Sequence, residues 1–335
     1  MWNNVVVHLF SEYEEVQIIP QHIRGWLSRS RDSLISLDMG TLMKTHPRAA
    51  HDLLQNHRFK KLVMFIPVDQ LHSLSQTPAE NLRCIEELTV FQSFDAEIYY
   101  HWDNPAAYRL TERPFFPMQH FPELQALTID VNPDVEDLVR AVSCGQLRRL
   151  QMRTYMSLQS CMHVLYQCPL LEVLQLEMVP CPLRSDLRVD KAFNDAPPST
   201  KPLILPHLRE LFVEFVRSDC CDMMLGMLSL PALKILNLYH ISSETTKLRT
   251  LEGLVNGRLG PQLQELHVKD CLEVEFVLDI IESRGKRGPA SQETLRLVDL
   301  SDADISATDQ QRIDKLREEG VVIYTESCWW DPFSR

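Results

Sequence analysis

His46, His51 and His57 lie close enough in sequence to suggest shared chemistry, since an imidazole can ligate a metal or carry a proton. Their spacings of five and six differ from the i, i+4 pair that sets two histidines on one helix face, and no glutamate between them supplies a base. His101-Trp102-Asp103 has the residue types of a His–Asp relay. Adjacent side chains on an extended segment point to opposite faces, however, and no activated serine or cysteine is implied beside them. Glu14-Glu15 and Glu318-Glu319 are solvated charge runs. The nine cysteines, at 84, 144, 161, 168, 181, 220, 221, 271 and 328, are odd in number and form no C-x-x-C pair, which argues against a disulfide framework or a zinc cage. A vicinal Cys220-Cys221 disulfide would be strained, so these two thiols read as packing and solvent neighbours at a helix start. Ten glycines form neither phosphate-cradling motif, and Gly285-Lys286-Arg287-Gly288 lacks the spacing that would wrap backbone N–H groups around a phosphate. These residues predict a non-enzyme with no cofactor and no metal, the alternative being an enzyme with its site in the aromatic stretch 91–121.

What could position functional side chains is a repeat. Leu-x-x-Leu-x-Leu recurs ten times in recognisable form, most clearly at Leu171-Glu172-Val173-Leu174-Gln175-Leu176 and Leu233-Lys234-Ile235-Leu236-Asn237-Leu238. Its central apolar residues are Leu37, Leu62, Leu88, Leu127, Leu150, Leu174, Leu211, Leu236, Leu266 and Val298, with successive gaps of 25, 26, 39, 23, 24, 37, 25, 30 and 32. Most gaps fall in or near the span of about 20 to 29 residues of leucine-rich repeats. The prediction is an α/β leucine-rich-repeat solenoid, a curved horseshoe of about ten irregular repeats with a parallel sheet on the concave side and helices on the convex side.

Helical stripes support the return limbs: Val135, Leu138, Val139, Val142; Leu158, Cys161, Met162, Leu165; Leu248, Leu251, Leu254, Val255; and Phe276, Val277, Ile280, Ile281. Prolines at 122, 169, 206, 231 and 261 each stand two residues before the first leucine of a strand, where they end the helical limb and turn the chain. The chain divides into a capping strand and helix at 1–33, a repeat domain at 34–326 and an aromatic tail at 327–335. An aromatic insertion at 91–121 packs on a sheet edge as a cap or forms part of a recognition surface, and a proline-rich one at 177–205 reads as a mobile excursion. Near the end, Ile313 and Leu316 mark a last helix, Gly320 suits its C′ position, and residues 321–324 read as a closing strand. Cys328-Trp329-Trp330-Asp331-Pro332-Phe333 reads as a cap over the terminal repeat, with partner docking as the alternative.

Acidic residues outnumber basic ones by 46 to 34, a net charge of −12, which argues against general affinity for nucleic acid or anionic membranes. No basic n-region opens the chain, and no apolar run approaches the roughly 20 residues that span a bilayer. The cysteine usage suits a reducing compartment, cytoplasm or nucleus. The expected partner is a protein on the concave face. Out-facing strand positions nominate Lys61, Arg149, Gln151, Gln175, Glu210, Phe212, Asn237 and His267, and Arg153, Glu214 and Tyr239 just past the strands add to them. Arg149 and Arg153 would form a basic centre and Phe212 with Tyr239 an aromatic stretch, with Glu177, Glu210 and Glu214 between them.

Before the first repeat the chain reads Trp2-Asn3-Asn4-Val5-Val6-Val7-His8-Leu9, then Ile23-Arg24-Gly25-Trp26-Leu27-Ser28-Arg29-Ser30, then Leu34-Ile35-Ser36-Leu37. This resembles the segment after the F-box in fungal, mainly basidiomycete, F-box and leucine-rich-repeat proteins. There a tryptophan leads into a short strand, a helix ending in Trp-Leu-x-Arg-Ser, and the first repeat. The resemblance implies a substrate receptor of a cullin-type ubiquitin ligase. The family's F-box, which docks the adaptor subunit, would stand before Trp2; the sequence starts as a truncated or fragmentary chain would, or as a relative that lost ligase attachment would, so the adaptor is an expected partner only if an F-box lies upstream and the resemblance carries over the receptor half alone.

Overall fold

A strand whose alternate residues are leucines hides one face and shows the other, and ten such strands need flanking partners for their backbone groups. The computed structural model describes residues 25, 27–29, 34–38, 47–66, 77–92, 121–130, 144–154, 158–178, 202–215, 218–240, 251–255, 259–269, 273–285, 295–301, 303 and 305–325. The predicted helix at 133–142, the histidines 46 and 101, most of both insertions, most of the N-terminal segment and the C-terminal tail lie outside these residues. The fold is mixed α/β with eleven strands in parallel ladders, divided between two compact units.

In the first unit β1 (Ile35–Asp38), β2 (Phe59–Ile66), β3 (Glu87–Gln92), β4 (Ala126–Asp130) and β5 (Arg149–Thr154) pair in chain order, every pair parallel. Between them run α1 (Pro47–Asn56), α2 (Ala79–Leu82) and a 3-10 turn, Cys144–Gln146, and after β5 comes α3 (Leu158–Tyr166). Chain-order parallel pairing is what repeated strand–crossover units produce. The predicted anchors stand in one line across the ladder, Leu37↔Leu62↔Leu88↔Leu127↔Leu150, each at most 1% exposed. Asn81 of α2 is buried, and its Nδ2 donates to the carbonyls of Leu54 and Gln55 at 2.9 and 2.8 Å. It thereby satisfies two acceptors that the end of α1 leaves open.

The second unit pairs β6 (Val173–Met178), β8 (Glu210–Phe215), β10 (Ile235–His240), β11 (Glu265–Lys269), β12 (Leu297–Asp299) and β13 (Val322–Tyr324), again all parallel. The short β7 (Leu203–Ile204) and β9 (Leu228–Ser229) form a separate parallel pair. The anchor line here is Leu174↔Leu211↔Leu236↔Leu266↔Val298↔Ile323, and the first five are fully buried. The return limbs include α4 (Ser218–Gly226), α5 (Glu252–Val255), α6 (Val274–Gly285) and α7 (Ala307–Glu318). The stripe residues Val277, Ile280 and Ile281 of α6 are buried, as are Ile313 and Leu316 of α7. Buried Arg284 on α6 donates to the carbonyls of Leu254, Gly260 and Pro261, which ties α6 to α5 and to the turn before β11. Gly320 does occupy C′ of α7 with φ +93°, where its N–H donates to Arg317 O and that of Val321 to Leu316 O, a Schellman motif.

Six strands, β3, β4, β5, β8, β10 and β11, are entered through one recurring turn. Ile85, Leu124 and Leu147 donate to the carbonyls of Leu82, Phe121 and Cys144; Leu208, Leu233 and Leu263 donate to those of Leu205, Leu230 and Gly260. Pro122, Pro206, Pro231 and Pro261 sit at the second position of this β-turn, where the ring's fixed φ is already correct. Gly260 holds its first position with φ +58°, a conformation only glycine adopts without cost. After the turn, one carbonyl serves two successive amides of the next strand. Glu86 O accepts from Gln125 and Ala126, and Gln125 O from Arg148 and Arg149. In the second unit Glu172, Arg209, Lys234 and Gln264 do the same for the following strand.

Candidate binding surface

The period of two that buries the leucines places the residues between them on the opposite face of each ladder. In the first unit, one outward row runs Ser36–Lys61–Glu87–Ala126–Arg149 and the next Asp38–Val63–Thr89–Thr128–Gln151. Lys61 Nζ lies 2.8 Å from Glu87 Oε2, with both side chains about half exposed, and Lys60 pairs with Glu86 at 3.3 Å. Thr128 Oγ1 donates to Gln151 Oε1 at 3.4 Å. Arg149 is exposed on β5. Arg153 also lies on β5, but its side chain is outside the described residues, so the expected basic centre rests on Arg149 alone.

The second unit has a different outward face. Its middle row is Gln175–Phe212–Asn237–His267–Asp299–Tyr324, and the rows beside it carry Glu210 with Glu265, and Glu177 with Glu214 and Tyr239. Seven of the sequence-predicted residues, Gln175, Glu210, Phe212, Glu214, Asn237, Tyr239 and His267, therefore share this face. Phe212 and Tyr239 sit in different rows, diagonal to one another across β8 and β10. Glu214 and Tyr239 lie within their strands rather than just past them, because parallel neighbours on both sides keep supplying ladder partners two residues beyond the leucine motif.

Three residues of the middle row are withdrawn from solvent. Asn237 is 7% exposed, and the His267 and Asp299 side chains are 11% and 15% exposed. His267 stands between two carboxylates, with Nε2 3.5 Å from Glu265 Oε2 and Nδ1 3.6 Å from Asp299 Oδ2. Asp299 Oδ1 accepts from the Ser301 N–H at 3.0 Å and from the Ser301 hydroxyl. Burial alone would push the Asp299 carboxyl up. Contact with His267 and the two Ser301 donors outweigh it, so the group is held below its ordinary value of 3.8. Asn237 Oδ1 is buried and accepts no hydrogen bond, a state that costs about 1–3 kcal/mol in a folded protein.

This arrangement holds a carboxylate rather than activating a hydroxyl. A nucleophilic relay needs the imidazole between hydroxyl and acid, whereas here Asp299 lies between Ser301 and His267. Among the described residues no group of three or more His, Cys, Asp or Glu is placed to hold a metal ion, and no helix is long and apolar enough to cross a membrane. His51 and His57 stand on and just after α1, and burial lowers the His57 ring below its ordinary value.

Asp299 was not among the sequence-predicted residues. The out-facing positions end there with Glu265 and His267, yet the same offset from the Val298 anchor yields Leu297 and Asp299. Sequence spacing also misses a thiol pair. Cys144 and Cys168 each stand three residues before a buried leucine, Leu147 and Leu171, so successive repeats bring them together although 24 residues separate them. The adjacent Cys144 thiol and burial together push the Cys168 thiol up, and its Sγ donates to Val164 O at 3.3 Å. Burial pushes neighbouring Cys161 up to about 12.

A comparison with models of known protein families finds no match, and no curated protein matches the sequence.

Proposed function

We propose that the chain is a non-catalytic protein-recognition module of the leucine-rich-repeat type, with the outward strand face of the second unit as its partner-binding surface. The observation that carries this reading is the register: every predicted anchor from Leu174 to Val298 lines up and is buried, which leaves Gln175, Phe212, Asn237, His267 and their neighbours in continuous outward rows. Apolar residues hold the scaffold, so substitutions on the other face can change specificity without touching the core. Aromatic, amide and carboxylate groups mixed on such a face suit a protein surface better than a polyanion, which needs a basic footprint.

The likeness of residues 2–37 to F-box and leucine-rich-repeat proteins supports substrate selection for ubiquitination as the cellular context, with a free-standing interaction scaffold as the other form of the same module. The test is quantitative affinity purification of the wild type beside Glu210→Lys/Phe212→Ala/Tyr239→Ala and a helix-face control, Glu275→Lys. A stoichiometric partner retained by the control and lost by the triple variant supports the reading; equal recovery with all three overturns it. Recovery of a cullin-ligase adaptor with the wild type supports the ubiquitination context, and its absence favours the free-standing scaffold.

A further inference from the structure

The middle outward row of the second unit is rich in acceptors. Asn237 Oδ1 is buried with nothing donating to it, and Asn237 itself is more than nine-tenths buried. Its register neighbour His267 lies between the Glu265 and Asp299 carboxylates. A neutral imidazole has one N–H and serves one carboxylate at a time; a protonated one serves both and still leaves the three side chains net negative. Ser301 occupies one oxygen of Asp299 and leaves the other facing the ring. The chemistry this row lacks is therefore a cation made only of donors. On the other side of Asn237 the register neighbour is Phe212, an aromatic side chain that is neither fully buried nor fully exposed.

We propose that Asn237, Glu265, His267 and Asp299 form a binding site for the guanidinium of an arginine presented by a protein partner, with Phe212 flanking it. This deepens the reading of the outward face as a partner-binding surface and rests on it. Arginine fits better than lysine on geometry. An ammonium offers three donors from one point, whereas the planar guanidinium presents five N–H donors in a fixed fork that can meet acceptors on neighbouring strands about 4.8 Å apart from separate nitrogens. Its flat face can also stack on an aromatic ring, which a desolvated position strengthens.

The test uses the full chain and three probes of one shape: N-acetyl-arginine amide, the lysine equivalent, and the uncharged citrulline equivalent. Side-chain NMR of Asn237 and His267 reports binding. Saturable shifts of both signals with the arginine probe are expected, with affinity about tenfold tighter than for lysine and no saturation with citrulline. Asn237→Leu, which replaces the amide by an apolar group of similar size, and Asp299→Asn should each lose the arginine response while retaining the wild-type far-UV spectrum. No saturable shift in the wild type, equal response to lysine, or an unchanged response in Asn237→Leu would each overturn the proposal. If the arginine response is absent while the triple variant still loses its partner, the site assignment falls and the recognition reading stands; if both fail, both fall.

Discussion

The two outward faces obey the same period and solve the same problem differently. In the first unit the charges are paired in the open, as in Lys61 with Glu87, where water already solvates both partners and the pair is worth little. In the second unit the polar groups at Asn237, His267 and Asp299 are nearly sealed off, and one acceptor is left without a donor. An exposed pair tolerates loss of either member, whereas a buried one is held by its neighbours and leaves a desolvated group behind when broken. The first face leaves its charged groups to water. The second holds a buried acceptor that nothing in the fold meets.

The contrast can be tested beginning with what the units share. Leu88→Ala in the first unit and Leu236→Ala in the second each empty a fully packed anchor position and should each cost about 2–5 kcal/mol in urea unfolding. A large difference between them would place the distinction in the core rather than on the face. Next, Asp299→Asn should destabilise by about 1–3 kcal/mol, because it weakens the bonds from Ser301 and the pairing with His267. The same substitution should flatten the acid limb of stability. The folded Asp299 carboxyl lies below 3.8, so the unfolded chain takes up its proton first as pH drops. The stabilisation is full above that value and is lost as pH falls through it toward the folded pKa. Denaturation of wild type and variant compared across this range checks the sign.

Asn237→Leu should move stability the other way, raising it by about 1 kcal/mol, since it removes a buried acceptor that has no donor. A destabilised Asn237→Leu would mean that the amide already meets its needs within the fold. The smallest effect belongs to Lys61→Ala, about 0.5 kcal/mol or less at low salt and vanishing at high ionic strength. If its cost persists in molar salt, the first face is less like a solvated surface than its half-exposed side chains indicate.

The ladders were legible because each buried leucine announces itself and its outward neighbours by parity. Anchors as far apart as Leu88 and Leu127 align across an insertion whose internal structure the spacing leaves open. Asn237 and His267 were legible as outward positions, but their burial was not. A position's parity reveals its face, and its exposure depends on what the adjacent strands carry beside it. The same limit hid the Cys144–Cys168 pair, whose proximity is set by equivalent turn positions in successive repeats and not by sequence spacing. The prolines were read as helix stops, and their further role at the second position of the entry turn emerges only once the carbonyls of Phe121, Leu205, Leu230 and Gly260 find their amides.

Those entry turns bear on how repeats of unequal length coexist. Sliding a strand by one residue would expose its leucines, but sliding by two would keep them inward and satisfy parity. The shared carbonyls at Glu86, Gln125, Glu172, Arg209, Lys234 and Gln264 oppose that second error, because each binds the first two amides of one strand entry and no other. Alignment is therefore reset at each of these six steps. An insertion in one crossover can grow or shrink without its error being inherited by the strands that follow, which leaves the loops free to vary while the outward rows remain in line.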